Sequence, residues 1–381
     1  MISRKIAQLV QARFRMYPAV VLVGPRQCGK TTFATSLGGL YFDLEQETER
    51  LRLDASWDEV VNGDSLVVLD EAQSYPELFP RLRGTIDRDR NKNGRFLLLG
   101  SISPTLMTQV SESLAGRLSV LELTPFLFSE IHIGNRLKKL WLYGGYPDGG
   151  ILFDERFPAW QQDYLNLLAQ RDLPNWGMVV RPQITDRLFR MLAATHGQEW
   201  NASRIGSSLG LSYHTVNRYL GYLEGAFLIR LLPAYHAKIR KRLTKRAKVF
   251  WRDSGLLHSL LNLQNSDSLF GHPGVGASWE GFVINQILSE LQSSGRSFNA
   301  YHFRTSDQKK LDLLLEIDSQ IWAFEIKLTS SPSLNDMERL NQVASLVGAQ
   351  RRVLLCNSTD PICNSSQMVC NLDTFLNSIQ R

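Results

Sequence analysis

At 381 residues the chain exceeds what one hydrophobic core ordinarily serves and suits two or three domains. A hydrophobic share of 43% and a charged share of 21% exclude a disordered or collagen-like polymer. The 43 basic and 37 acidic side chains leave a net charge of +6, and much of the excess is concentrated. Lys238, Arg240, Lys241, Arg242, Lys245, Arg246 and Lys248 form one acid-free run. No apolar run approaches the roughly eighteen residues that a bilayer crossing needs, and the first residues lack the apolar core of a secretory signal. Cys28, Cys356, Cys363 and Cys370 contain no C-x-x-C pair. A cytoplasmic protein without a membrane partner is expected.

In the first third, apolar runs (AVVLVG, LYFDLE, SLVVLDE, RFLLLGS, SVLELTPF) alternate with helical stretches, the pattern of an α/β unit with a largely parallel sheet. Between the first strand and the next helix, Gly24, Pro25, Arg26, Gln27, Cys28, Gly29, Lys30 and Thr31 match G-x-x-x-x-G-K-[ST], with Thr32 following. Glycines let backbone N–H groups turn around phosphates, Lys30 reaches the terminal phosphates and Thr31 ligates Mg2+. ATP and Mg2+ are therefore the expected cofactors. Forty residues on, the run Leu66–Leu69 ends in Asp70 and Glu71; Asp70 suits magnesium, and Glu71 suits polarising the attacking water. Ser101 closes the strand RFLLLG, where its hydroxyl can touch water or γ-phosphate. Arg117 precedes SVLEL, placed either to reach a neighbouring subunit's γ-phosphate or to make a surface salt bridge.

The segments LVGPRQCGKTT, VVLDEAQ, FLLLGS, ESLAGRL, LTPFLFSEI and GGYP resemble a family of prokaryotic AAA-type ATPases that carry a C-terminal domain of unknown function with a nuclease-like fold. ASRIGSSLGLSYHTVNRYLGYLE, KVFWRDSGLL and WEGFV extend the resemblance over nearly the whole chain. It implies an AAA fold, with Ser101 as polar sensor and Arg117 as inter-subunit finger of a homo-oligomer. No second sensor arginine is assignable in the lid.

From about Asn135 to Asp253 helical patterns dominate, interrupted by GGYPDGG and LPNWG. Ile205, Leu209, Leu211, Val216, Leu220 and Leu223 give two short amphipathic helices joined at Gly210-Leu211-Ser212, with Ser212 as cap. FLIRLLPAY and AKVFWRD flank the basic run as strands flank a wing, and Ser212, His214, Asn217 and Arg218 are placed on the exposed side of the second helix. Nucleic acid, DNA rather than RNA, is the expected partner through residues 201–248 and the C-terminal domain, the alternative being a helical spacer.

GHPGVGA is the expected linker into a last α/β unit. There, Leu311–Ile317 and Gln320–Leu328 read as a hairpin closed by Asp318-Ser319. Antiparallel pairing sets Asp312 opposite Glu325 with Lys327 on the same face, one side being a core and the other a site. The arrangement resembles the PD-(D/E)xK nuclease core, in which two acids hold Mg2+ or Mn2+ and the lysine activates water. Glu280 matches the helical glutamate that completes such a site, while Leu311 stands where proline is usual. The fold can equally be a scaffold that does not cleave.

The expected architecture is α/β: an AAA-type P-loop ATPase core (1–134), a helical lid (135–180), a middle helix-turn-helix or winged-helix-like domain (181–270), and a C-terminal restriction-endonuclease-like domain (271–381).

Overall fold

The computed structural model describes residues 2–100, 114–132, 134–178, 180–236 and 246–379. Ser101, the first three residues of the helical stretch expected over SESLAGR (111–117), and the basic run from Lys238 to Lys245 lie outside the described residues. Strands β1 (Ala19–Val23), β2 (Leu40–Asp43), β3 (Val67–Asp70), β4 (Phe96–Gly100) and β5 (Leu118–Glu122) form a parallel sheet in the order β2-β3-β4-β1-β5. Side chains alternate across the strands, so Val21, Leu69 and Leu98 pack with Leu53, Phe79 and Leu82 on one face. Val20, Leu22, Val68 and Leu97 pack with Val10 and Phe33 on the other. Helices on both faces account for the unbroken apolar runs, which a half-solvated sheet would not tolerate. Ligands of such sheets sit beyond the carboxyl ends of the strands, where the loop after β1 opens.

The chain then becomes helical, with helices Arg136–Tyr143, Ala159–Leu167, Pro182–Ala194, Ala202–Leu209 and Tyr213–Gly225. An antiparallel ribbon follows, β6 (Ile229–Leu232) with β7 (Lys248–Trp251). Gly210 caps the first helix of the turn in the left-handed region at φ 68°, and Ser212 Oγ accepts the Thr215 N–H at 3.1 Å to start the second. Tyr146, Tyr164 and Leu173 share one core with Phe189, Val216 and Trp251, so the expected boundary near residue 180 runs through a common interior.

The stretch read as a linker is shorter than expected. Only Gly271–Gly274 is outside helix, because Val275 already opens the helix Val275–Ser293. That helix is buried on nearly every side, between Phe126, Phe128 and Trp141 of the preceding parts and Leu313, Leu315 and Phe324 of the last sheet. The last sheet has six strands, β8 (Phe298–Arg304), β9 (Lys310–Ile317), β10 (Gln320–Ile326), β11 (Arg351–Leu355), β12 (Ile362–Cys363) and β13 (Gln367–Cys370), in the order β12-β13-β11-β10-β9-β8. The β9–β10 turn is Asp318-Ser319, both at positive φ, and Gln320 pairs with Ile317 through to Phe324 with Leu313. One step further along that register sets Glu325 opposite Asp312. The face carrying Asp312 is not an open site, however. Leu314 and Ala323 on that side are covered by Leu340, Val343 and Ala344 of the helix Leu334–Leu346, so both faces of the hairpin are core.

Candidate functional site

The phosphate loop leaves β1 and enters the helix Lys30–Ser36 through Gly29 at φ 96°. A Cβ on Gly24 would meet the Leu123 carbonyl oxygen at 2.2 Å, so only glycine lets the loop lie against the end of β5. Lys30, 8% exposed, donates to the carbonyls of Gly24 at 3.0 Å and Pro25 at 2.9 Å, poised across the loop it serves. Thr31 Oγ1 donates to Asp70 Oδ2 at 2.6 Å, and the Tyr41 hydroxyl donates to the same oxygen at 2.8 Å. A hydroxyl and a carboxylate side by side are the oxygen donors that a hard Mg2+ ion takes, so these residues fit the ion expected there.

Glu71 follows Asp70 in a left-handed conformation, φ 49° and ψ 45°, which a residue with a Cβ seldom adopts. Its N–H donates to Asp70 Oδ1 at 2.9 Å, and Gln73 Nε2 donates to its carboxylate. Burial pushes the Glu71 carboxyl above the usual carboxylate range, against the pull of Gln73 and Lys30. A raised carboxyl is a stronger base when it does ionise.

The cleft is about 420 Å3 and is lined by the loop (Arg26, Gln27, Gly29 to Thr32), Asp70 and Glu71, and from the helical part Pro147, Asp148, Tyr164, Leu167, Arg171 and Asp172. Sequence reading missed this second wall. Asp172, 2% exposed, sits between Arg26 at 3.3 Å and Arg171 at 2.9 Å, tying the phosphate loop to the helical part. The signal was the charge pair Arg171-Asp172 closing the leucine-rich YLNLLAQRDL. Cys28 lines no part of the cleft. It is fully buried, with its Sγ on the Leu123 carbonyl at 3.3 Å and its thiol pushed up by burial.

Arg117 sits just before β5, whose first residue pairs with Ala19 at the start of β1, so it lies at the sheet end opposite the phosphate loop. It makes a two-pronged pair with Asp87, Nε at 2.8 Å and Nη2 at 2.9 Å. Within its own chain it is a surface salt bridge.

In the C-terminal sheet the expected carboxylates are near one another, each with its own lysine. Asp312, 1% exposed, accepts the Ile326 N–H at 3.0 Å and pairs with Lys310 at 2.8 Å. Glu325 pairs with Lys327 at 2.9 Å, and Glu280 pairs with Lys248 of β7 at 2.7 Å. Burial, and then the Asp312 charge, push Glu280 up to about 7 and raise Glu325 as well. Among the described residues no three or more His, Cys, Asp or Glu side chains gather as metal ligands. The expected second Mg2+ or Mn2+ at Glu280, Asp312 and Glu325 thus meets carboxylates that are each already paired with a lysine. The expectation counted one lysine where the fold supplies three. Lys310 was legible in KKLD, but Lys248 arrives from another part of the chain.

On the helix Tyr213–Gly225, His214 and Arg218 are exposed, as is the capping Ser212. Asn217 differs from expectation. It is half-buried and accepts the Trp200 Nε1–H at 2.8 Å.

Residues 16–132 match the AAA domain family, 134–267 a domain of unknown function (DUF8612), and 275–375 a domain of unknown function (DUF4143). Uncharacterised proteins of Mycobacterium tuberculosis and Mycobacterium bovis are each 36% identical over 337 residues, covering 87% of this chain and 75% of theirs. The chain belongs to the family of these mycobacterial proteins. Its N-terminal core is a parallel-sheet, P-loop AAA-type ATPase domain. An uncharacterised protein of Haemophilus influenzae is 24% identical over 254 residues, 61% of this chain and 60% of that one. Among solved structures, RuvB of Thermotoga maritima covers 61% of this chain and 90% of its own at 17% identity and a TM-score of 0.30. A signal-transduction ATPase with numerous domains from Pyrococcus horikoshii covers 77% and 45% at 12% identity and a TM-score of 0.28. These two likenesses are too slight to carry an argument. Among the described residues no helix is long and apolar enough to cross a membrane.

Proposed function

We propose that this AAA-type protein is a magnesium-dependent ATPase that uses hydrolysis to change how its middle and C-terminal parts engage nucleic acid. The reading is carried by one cleft in which Lys30, Thr31, Asp70 and Glu71 of the AAA core face Arg171 of the lid. Lys30 leaves the Gly24 and Pro25 carbonyls for the terminal phosphates. Magnesium, when bound, neutralises charge on the phosphates, and Thr31 and Asp70 are its holders. Glu71 takes a proton from the attacking water while Gln73 keeps its carboxylate in place. Arg26 and Arg171 bring positive charge to the phosphates from two sides. Ser101 acts as polar sensor, and Arg117 exchanges Asp87 for a neighbour's γ-phosphate in a homo-oligomer.

The turn at Gly210–Ser212 followed by the β6–β7 ribbon is the order of elements in a winged helix, with Ser212, His214 and Arg218 exposed for duplex DNA. A second reading holds that the nuclease-like C-terminal domain is a scaffold and the protein an ATP-driven switch. The pairing of Asp312, Glu325 and Glu280 with three lysines favours it over cleavage. The test is ATP turnover by the full chain with and without duplex DNA, together with salt-dependent DNA binding. Lys30→Ala should lose ATP binding, whereas Glu71→Gln should bind ATP and turn over about a hundredfold more slowly. Turnover indifferent to DNA, with no salt-dependent binding, would remove nucleic acid from the reading and leave the switch. Metal-dependent cleavage lost in Asp312→Ala would remove the scaffold instead.

A further inference from the structure

A phosphate loop works only if its peptide N–H groups point into the cleft, and one residue outside the loop orients one of them. Arg4 is 7% exposed and does not line the cleft. Its Nη1 donates to the Cys28 carbonyl at 3.0 Å, Nη2 to the Thr124 carbonyl, and Nε to Glu130 Oε2 at 3.1 Å. A trans peptide is planar, with its C=O and N–H opposed. A Cys28 carbonyl held toward Arg4 therefore turns the Gly29 N–H the other way, toward the cleft that Gly29 lines. Gly29, at φ 96°, has no Cβ to resist a flip of that peptide, so the bond from Arg4 adds a restraint that Gly29 itself does not supply.

The hold on Arg4 continues into the last part of the chain. Glu130, 5% exposed, accepts the Lys5 N–H at 2.7 Å and the Leu127 N–H at 2.9 Å. Lys5 Nζ pairs with Glu290 at 2.7 Å, and Glu290, 1% exposed, belongs to the helix Val275–Ser293. We propose that Arg4 is a positioning residue for phosphate binding, holding the Cys28–Gly29 peptide in its receptive orientation, and that Glu290 sets this hold through Lys5 and Glu130. The inference rests on the nucleotide reading of the cleft. It makes the C-terminal part a determinant of ATP affinity through contacts that never touch the nucleotide.

Arg4→Lys keeps the charge but loses the fork that serves three acceptors at once. In the full chain it should weaken magnesium-ATP binding by calorimetry about tenfold or more, while adenosine, which has no phosphate, binds as in wild type. A merely structural role would weaken both ligands alike. Glu290→Gln should weaken ATP about three- to tenfold, and the double variant should be no weaker than Arg4→Lys alone, because both act through one chain. Wild type without ATP binding would overturn the nucleotide reading and this inference together. Wild type that binds while Arg4→Lys binds equally well would overturn the positioning role alone. Fully additive losses in the double variant would sever Glu290 from Arg4.

Discussion

Replacing Glu280 by glutamine isolates one carboxyl whose proton the fold controls. Burial and the Asp312 charge raise it from the ordinary 4.5 to about 7, against the pull of Lys248. A carboxyl that holds its proton more tightly folded than unfolded adds stability that is fully present below its unfolded pKa. That stability is lost as pH rises through the folded value. At a little over 1 kcal/mol per pKa unit the ceiling is about 3 kcal/mol, most of which falls between about pH 5 and about pH 8. Relaxation around the site lowers this, so an extra loss of about 1–2 kcal/mol in wild type over that range is expected. Glu280→Gln keeps the shape and cannot titrate. Asp253, raised by burial to about 6, acts in the same direction but is present in both proteins and cancels in the difference. The assay is urea unfolding of both proteins at about four pH values across that window. A stability difference that stays constant with pH would refute the reasoning.

Arg252→Met should cost about 3 kcal/mol in urea unfolding, because it strips the cation from Glu122, whose carboxylate it holds low despite burial. A loss under about 1 kcal/mol would mean that Gln292 and the Arg230 charge suffice for Glu122. Native protein treated with a thiol reagent should react fast at exposed Cys363, whereas Cys28, buried in the phosphate loop, should stay unmodified with or without ATP. Loss of ATP binding after one equivalent of label on Cys28 would contradict that burial. Arg117→Ala removes an exposed pair with Asp87, which solvent screens, and should leave stability nearly unchanged. If Arg117 is the finger, turnover should collapse with ATP binding intact, and mixing with Lys30→Ala subunits should restore some activity. Unchanged turnover would make it a surface ion pair only.

The phosphate loop, the Asp70-Glu71 strand end and the Gly210–Ser212 turn were legible in the sequence because each is a short-range device. A tight turn, a strand end or a cap depends on residues within one or two turns of each other. The β9–β10 register was legible for the same reason, since a two-residue turn with a period-two pattern fixes which residues face each other. Partners brought from far along the chain were not. Asp172 reaches Arg26, Lys248 reaches Glu280, and Arg4 reaches Cys28 and Glu130 across separations that no local pattern encodes. The hairpin's second face looked like a site because alternation says which residues share a side but not what covers it; the helix Leu334–Leu346 does. Local chemistry thus set the elements and the nucleotide motifs. Only packing, which decides what water is excluded from and which charges must find partners there, set how the carboxylates are neutralised and what holds the phosphate loop in shape.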